Sequence, residues 1–113
     1  MKASSRHLKT NIKELENGLE TIKNLTPVSY DYISDLIEGN TSGDIGFIAE
    51  DSPSISVNEG KAISVQKLAT WAILGIKELI EENNKLKDEV LNLKIKFDDL
   101  SEELNSSGTK KHV

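Results

Sequence analysis

Apolar positions near the start of the chain recur at helical spacing. Steps of three and four residues separate them between Asn11 and Leu25, which predicts an amphipathic helix over this segment. Pro27 follows, and a residue that precedes proline is driven out of helical geometry, so the helix is expected to end there. The apolar positions are Ile12, Leu15, Leu19, Ile22 and Leu25.

Two short strands and a loop are predicted next. Val28 to Ile33 alternates apolar or aromatic residues with polar ones, and Ile45 to Ala49 is a second strand-like run. Glu38 to Asp44 between them is rich in turn residues, so we expect a hairpin with a long tip. Asp51 to Gly60 is predicted to be a surface loop with a short extended piece at Ile55 to Val57.

The longest regular pattern lies in the C-terminal half, where a single helix is predicted from Val65 to Leu104. Apolar residues repeat there every seven residues, as in a coiled coil, and form a seam about 42 Å long at a rise of ~1.5 Å per residue. Glu82 with Lys87 and Glu89 with Lys94 flank the seam as opposite charges, which favours parallel neighbours. The seam consists of Ile76, Leu79, Asn83, Leu86, Val90, Leu93, Phe97, Leu100 and Leu104, and Ala72 extends it upstream.

One polar residue, Asn83, interrupts this seam. A buried amide at such a position costs stability but fixes the register of the helices. Ile76 and Val90 favour a dimer, whereas Phe97 favours a wider core, so the seam leaves dimer and trimer open. The stripe could instead pack against the chain's own first helix, but its heptads extend beyond any partner within 113 residues. An oligomer is predicted.

Composition and charge exclude several classes of protein. The net charge of −5 argues against a nucleic-acid partner, although Lys2 to Lys13 forms a local basic segment that is either a solvated tail or a functional cluster. Cysteine is absent and the two histidines lie far apart, which gives no support for a metal site. No signal peptide, membrane-spanning run or phosphate-binding loop is recognisable. We expect a soluble protein without cofactor or membrane partner, in which Tyr30, Tyr32, Phe47 and Trp71 are core or interface anchors.

Four short motifs follow one another in a specific order. Ser4 to Ile12 resembles S-D-x-R-L-K-x-N-I, Leu25 to Tyr30 resembles L-x-P-V-x-Y, Gly46 to Asp51 resembles G-F-I-A-Q-E, and Ala72 to Leu79 resembles an A-I-K-E-L segment. Together they are similar to the intramolecular chaperone auto-processing domain, also called the chaperone of endosialidase. The resemblance covers roughly residues 4–93, and it departs from the family pattern at Ser5 and His7, where the family has Asp and Arg.

This resemblance implies a function. Members of the family form the C-terminal part of phage endosialidases, tail spikes, tail fibres and neck appendages, where they trimerise, assist folding of the upstream β-rich stalk and are released by a Ser-Lys mechanism. We therefore expect a homotrimer whose client is the upstream stalk of the same polypeptide. It would act in the host cytoplasm during virion assembly and be absent from the mature particle. Three residues precede Ser4, which leads us to expect a fragment of a longer chain.

The catalytic pair implied by the resemblance is Ser4 as nucleophile and Lys9 as base. A lysine amine accepts a proton only when it is neutral, and burial on trimerisation would favour that form. The scissile bond lies beside Ser4, either before or after it. Ser5 is an alternative nucleophile or scissile neighbour, and Asn11 is a candidate oxyanion donor.

The expected architecture is α+β and mainly helical, with an N-terminal helix, a small hairpin region and a long C-terminal helix in a parallel trimeric coiled coil. Its segments are a cleavage-site segment at residues 1–10, a helix with a small β region at 11–64, a coiled-coil helix at 65–105 and a disordered tail at 106–113. The alternative function is a non-catalytic coiled-coil oligomerisation module in which Ser4 and Lys9 have no role. A metabolic enzyme is disfavoured, since neither paired carboxylates nor a cofactor loop is recognisable.

Overall fold

The computed structural model describes residues 2–111, and side chains through residue 107. As predicted, the fold is mainly helical with a long C-terminal helix, and it contains two small antiparallel sheets. Contacts divide the chain into one unit, Met1–Ile76, and a second unit, Lys77–Val113. The elements are a 3-10 turn at Arg6–Leu8, α1 at Gly18–Lys23, β1 at Val28–Tyr30, α2 at Ile33–Ile37, β2 at Asp44–Gly46, a second 3-10 turn at Ala49–Asp51, β3 at Ser56–Val57, β4 at Ala62–Ile63 and α3 at Val65–Lys111.

Helix α1 is shorter than its apolar spacing predicts. The prediction of a helix from Asn11 is wrong upstream of Gly18. Asn11 and Asn17 have φ angles of 53° and 65°, a left-handed conformation that an α-helix does not continue through and that asparagine tolerates better than most residues. Ile12 and Leu15 consequently lie outside the helix, and both side chains are exposed.

Two glycines allow α1 to lie directly against α3. A Cβ atom on Gly18 would lie 2.7 Å from the backbone nitrogen of Gly75 and 2.7 Å from Cγ of Leu74. Both glycines are buried, and a Cβ on Gly75 would meet the Cδ1 atom of Ile22. The close approach of the two backbones therefore depends on the missing side chains.

Alanine at these two positions is expected to have unequal effects. Gly18→Ala should lower the free energy of unfolding by about 1–3 kcal/mol, because its Cβ meets the backbone of α3, which cannot move aside alone. Gly75→Ala should cost less, since the end of the Ile22 side chain can rotate and alanine improves helix propensity by about 0.8–1 kcal/mol. Urea unfolding followed by circular dichroism at one fixed protein concentration measures both; a larger loss for Gly75→Ala would contradict this account.

The predicted hairpin is present, and its tip contains an extra helix. β1 and β2 pair antiparallel, with Val28 opposite Gly46 and Tyr30 opposite Asp44. The predicted strand from Val28 to Ile33 ends at Tyr30, and α2 begins at Ile33. The apolar residues of α2 are spaced by three and one, which suits a helical turn better than a strand. The second strand is β2, Asp44–Gly46, and not the predicted residues 45–49.

The loop after residue 51 contains a second small hairpin and the buried residues Ser52 and Ile55. The predicted extended piece at Ile55 to Val57 is β3, Ser56–Val57, which pairs with β4. Ile55 is fully buried, and the indole Nε1 of Trp71 donates a hydrogen bond to the Ser54 carbonyl oxygen at 3.2 Å. These contacts tie the first turns of α3 to the loop.

Helix α3 begins at a serine cap and continues beyond its predicted end. The backbone N–H of Lys67 donates to Ser64 Oγ at 3.1 Å, as expected for an N-cap. The helix continues to Lys111, so the structure differs from the expected disordered tail over residues 106–111. Residues 112–113 of that tail lie outside the described residues.

Candidate active site

A 3-10 turn organises the N-terminal segment; we call Arg6–Leu8 with its cap Ser5 the N-terminal turn. The Leu8 N–H donates to the Ser5 carbonyl at 3.0 Å, and the Lys9 N–H donates to the Arg6 carbonyl at 3.2 Å. Ser5 Oγ accepts a hydrogen bond from the His7 N–H at 3.3 Å. The chain therefore bends between Ser4 and Lys9.

This bend brings the two predicted catalytic side chains into contact. Lys9 Nζ donates a hydrogen bond to Ser4 Oγ at 2.6 Å. The hydroxyl and the amine are close enough for direct proton transfer, which is the geometric requirement for a nucleophile and its general base. The amine and the hydroxyl are therefore within hydrogen-bonding distance, and the catalytic role of Ser4 and Lys9 stays a prediction.

Both members of the pair are exposed in the single chain. Water stabilises the charged form of an amine, whereas removal of water favours the neutral form that can accept a proton. Among the side chains described through residue 107, Lys9 is the one with a hydrogen bond to Ser4. The pair is therefore formed locally but not shielded within one chain.

Ser5 and Asn11 are the candidates for the alternative nucleophile and the oxyanion donor, and neither has a described contact with the Ser4–Lys9 pair. Ser5 Oγ interacts with the backbone of the N-terminal turn and has no described contact with Lys9. Asn11 has a φ of 53°, and within the described part of the chain no hydrogen bond joins its side chain to Ser4 or Lys9. Ser4 Oγ therefore contacts Lys9, whereas Ser5 Oγ contacts the backbone of the turn, and the catalytic roles of Ser4, Ser5 and Asn11 stay predictions.

The heptad seam of α3 is uncovered in the single chain. Its large apolar side chains range from 52% exposed at Ile76 and Leu79 to 68% exposed at Phe97. α1 contacts α3 at Leu74 and Gly75, neither of which is a seam residue. An exposed apolar row of this length is typical of an interaction surface.

Two isoleucines that the heptad analysis missed widen this surface. Ile73 and Ile80 follow the seam positions Ala72 and Leu79, and each is more than half exposed. Their spacing of seven residues could have revealed them, because both occupy the flanking position that carries lysine in the next two heptads. The apolar face of α3 is therefore broader near residue 76 than further along.

An open groove of about 590 Å³ lies beside β1 and is lined by Tyr30, Tyr32 and Phe47 among others. The two tyrosine rings meet edge to face at 5.4 Å, and the side-chain hydrogen bond with Tyr32 raises the pKa of Tyr30 above its ordinary value.

Within the described residues, acidic and histidine side chains form no cluster suited to a metal ion. No described helix is long and apolar enough to cross a membrane.

Comparison with known proteins identifies the class. A peptidase-family model described as chaperone of endosialidase matches residues 4–61, which is 58 of 113 residues. The match begins at Ser4 and includes Lys9 and the first hairpin. The chain belongs to the chaperone of endosialidase family, as its motifs predicted.

The matched segment is shorter than the resemblance described from the motifs. It ends at Lys61, so the A-I-K-E-L-like segment and the seam of α3 lie outside it. No curated protein and no solved structure matches the chain.

Proposed function

We propose that this chain is an intramolecular chaperone that trimerises through α3, assists the folding of a polypeptide joined upstream, and is then released by cleavage beside Ser4. Membership of the chaperone of endosialidase family supports the chaperone role and a peptidase activity. The observation that carries the finer mechanism is the 2.6 Å contact between Lys9 Nζ and Ser4 Oγ.

The exposed area of one chain supports an obligate oligomer. The chain exposes 10098 Å², whereas a folded monomer of 12.5 kDa is expected to expose about 6,200 Å². The exposed area therefore exceeds the expected area by about 3,900 Å² per chain. A closed trimer has as many interfaces as chains, so about 3,900 Å² could be buried at each interface. Obligate interfaces bury about 2,000–5,000 Å², so a trimer would account for the excess.

Charge and polarity along α3 favour parallel helices in one register. Glu82 with Lys87 and Glu89 with Lys94 can pair between parallel neighbours. Asn83 would meet its copies in the other chains, and a register shift would place its amide against apolar side chains. Parallel helices also place the three N-terminal segments at the same end, which is the arrangement that joining three upstream clients requires.

The proposed reaction follows from the Ser4–Lys9 contact. Neutral Lys9 Nζ takes the proton of Ser4 Oγ as this oxygen attacks the carbonyl carbon of the bond beside Ser4. The C–N bond breaks, the leaving nitrogen receives the proton, and an ester to Ser4 Oγ remains. Water then hydrolyses the ester and regenerates the hydroxyl. The Ser5 hydroxyl is bound to the backbone of the N-terminal turn, which supports Ser4 as nucleophile.

Assembly would control this reaction. Ser4 and Lys9 are exposed in the single chain, and neighbouring chains in a trimer would exclude water from them. Holding three clients together would raise their effective concentration to about the millimolar range, which favours an intertwined stalk. Cleavage after folding makes the assembly irreversible. We propose a phage tail spike, tail fibre or neck appendage as the client, with release in the host cytoplasm during virion assembly.

The test is a polypeptide in which a monomeric fluorescent protein and a flexible linker precede Met1. We expect two fragments that meet at Ser4, and the mass of the C-terminal fragment will distinguish cleavage before Ser4 from cleavage after it. Light scattering should give the mass of a trimer at micromolar concentration. A monomer that stays intact would refute the proposal.

The second candidate is a non-catalytic oligomerisation module. The uncovered seam of α3 favours it equally, because this candidate needs only the seam. It predicts a trimer that stays intact indefinitely. Fragment formation therefore separates the two candidates.

A further inference from the structure

We propose that Ser5 is a positioning residue for cleavage, whose hydroxyl caps the N-terminal turn and thereby holds Lys9 against Ser4. This inference rests on the function proposed above and deepens it. Ser5 neither attacks the scissile bond nor takes a proton in this account. Its contribution is the conformation of the segment that carries the two reacting groups.

The contact between Ser4 and Lys9 needs a bend in the chain. Five residue steps of extended backbone span about 17 Å, which exceeds what a lysine side chain can bridge. The observed distance between Lys9 Nζ and Ser4 Oγ is 2.6 Å. The two backbone hydrogen bonds of the N-terminal turn, from Leu8 to Ser5 and from Lys9 to Arg6, provide the necessary bend.

The Ser5 hydroxyl is well placed to stabilise this bend. It accepts the hydrogen bond of the His7 N–H, a donor at the start of a helical turn that lacks a backbone acceptor within the turn. Arg6, His7 and Leu8 are all exposed, so packing of the turn against the rest of the chain contributes little. A three-residue turn without packing is marginally stable, and its population responds directly to the cap.

The chemistry of this position is consistent with capping. Ser, Thr, Asn and Asp all accept hydrogen bonds from the first N–H groups of a helix, whereas Ala and Val cannot. Ser5 stands where the family pattern has Asp, so the replacement retains a capping oxygen.

Four variants of the reporter-linked polypeptide test the proposal: Ser5→Asn, Ser5→Thr, Ser5→Val and Ser5→Ala. Asn and Thr should cleave within about two-fold of the unmodified rate, since both retain the cap. The Ser5→Val and Ser5→Ala variants should cleave about five-fold more slowly. Loss of a cap costs about 1 kcal/mol, and ~1.36 kcal/mol corresponds to a ten-fold change in rate. Thr and Val have nearly the same shape, so this pair isolates the hydroxyl. Asn lacks a hydroxyl, so cleavage of Ser5→Asn beside Ser4 would exclude the Ser5 hydroxyl as the nucleophile.

The outcomes separate this inference from the proposed function. If the unmodified polypeptide stays intact, the proposed function fails before any variant is compared. If it cleaves and Ser5→Val cleaves equally fast, or if Ser5→Asn is as slow as Ser5→Ala, positioning by Ser5 is refuted. Light scattering must show the same oligomer for all four variants, because a slow variant that has also dissociated would indicate a role in assembly instead.

Discussion

Lys9→Arg is expected to stop self-cleavage, lowering its rate by about 10²–10⁴-fold, the usual contribution of a general base. Arginine retains the positive charge and can still donate a hydrogen bond to Ser4 Oγ, but it does not lose its proton in proteins. The Lys9→Arg variant therefore shows whether Lys9 acts as a base or only places a positive charge beside Ser4. Ser4→Ala should abolish cleavage completely, since the nucleophile is missing. Quantitative gel analysis of the reporter-linked polypeptide over several days measures both.

Lys13→Arg is the matched control, because Lys13 is an exposed lysine of the same basic segment. It should cleave at the unmodified rate. If Lys9→Arg also cleaved at that rate, Lys9 would not be the base, and the 2.6 Å contact with Ser4 would be a surface hydrogen bond without catalytic consequence.

Leu93→Asp is expected to convert the proposed trimer to monomers at micromolar concentration. Leu93 is 65% exposed in the single chain and occupies the centre of a seam layer in the proposed coiled coil. Assembly would bring three carboxylates into an apolar layer, at a cost of several kcal/mol for each unpaired charge. Because shielding of the Ser4–Lys9 pair is proposed to depend on assembly, cleavage should be lost together with the trimer. Light scattering and fragment analysis on the same sample test both.

Leu91→Asp provides the comparison on the same helix. Leu91 is 55% exposed but lies outside the seam, two residues before Leu93, so the same substitution there should leave trimer and cleavage intact. Dissociation by both substitutions would show that the heptad assignment is wrong. A monomeric Leu93→Asp chain that still cleaves would show that Ser4 and Lys9 need no neighbouring chain.

Family membership could be predicted from the sequence because it depends on local order along the chain. Short motifs keep their spacing whatever the tertiary structure is, and the family match from residue 4 to residue 61 includes the first three of them. The catalytic role of Ser4 and Lys9, which the resemblance implies, stays a prediction. Local spacing did not show how the two side chains would meet, and the contact became visible only with the N-terminal turn. The cap at Ser5 was missed for the same reason.

The sequence by itself determined the long helix α3 and its heptad seam, because a regular period over many residues leaves one consistent backbone conformation. Tertiary structure decided where short elements begin and end. The left-handed conformations of Asn11 and Asn17 moved the start of α1 to Gly18, where the helix lies against Gly75 of α3. A six-residue helix gains little from its own hydrogen bonds, so its packing partner decides its bounds, and apolar spacing alone does not reveal that partner.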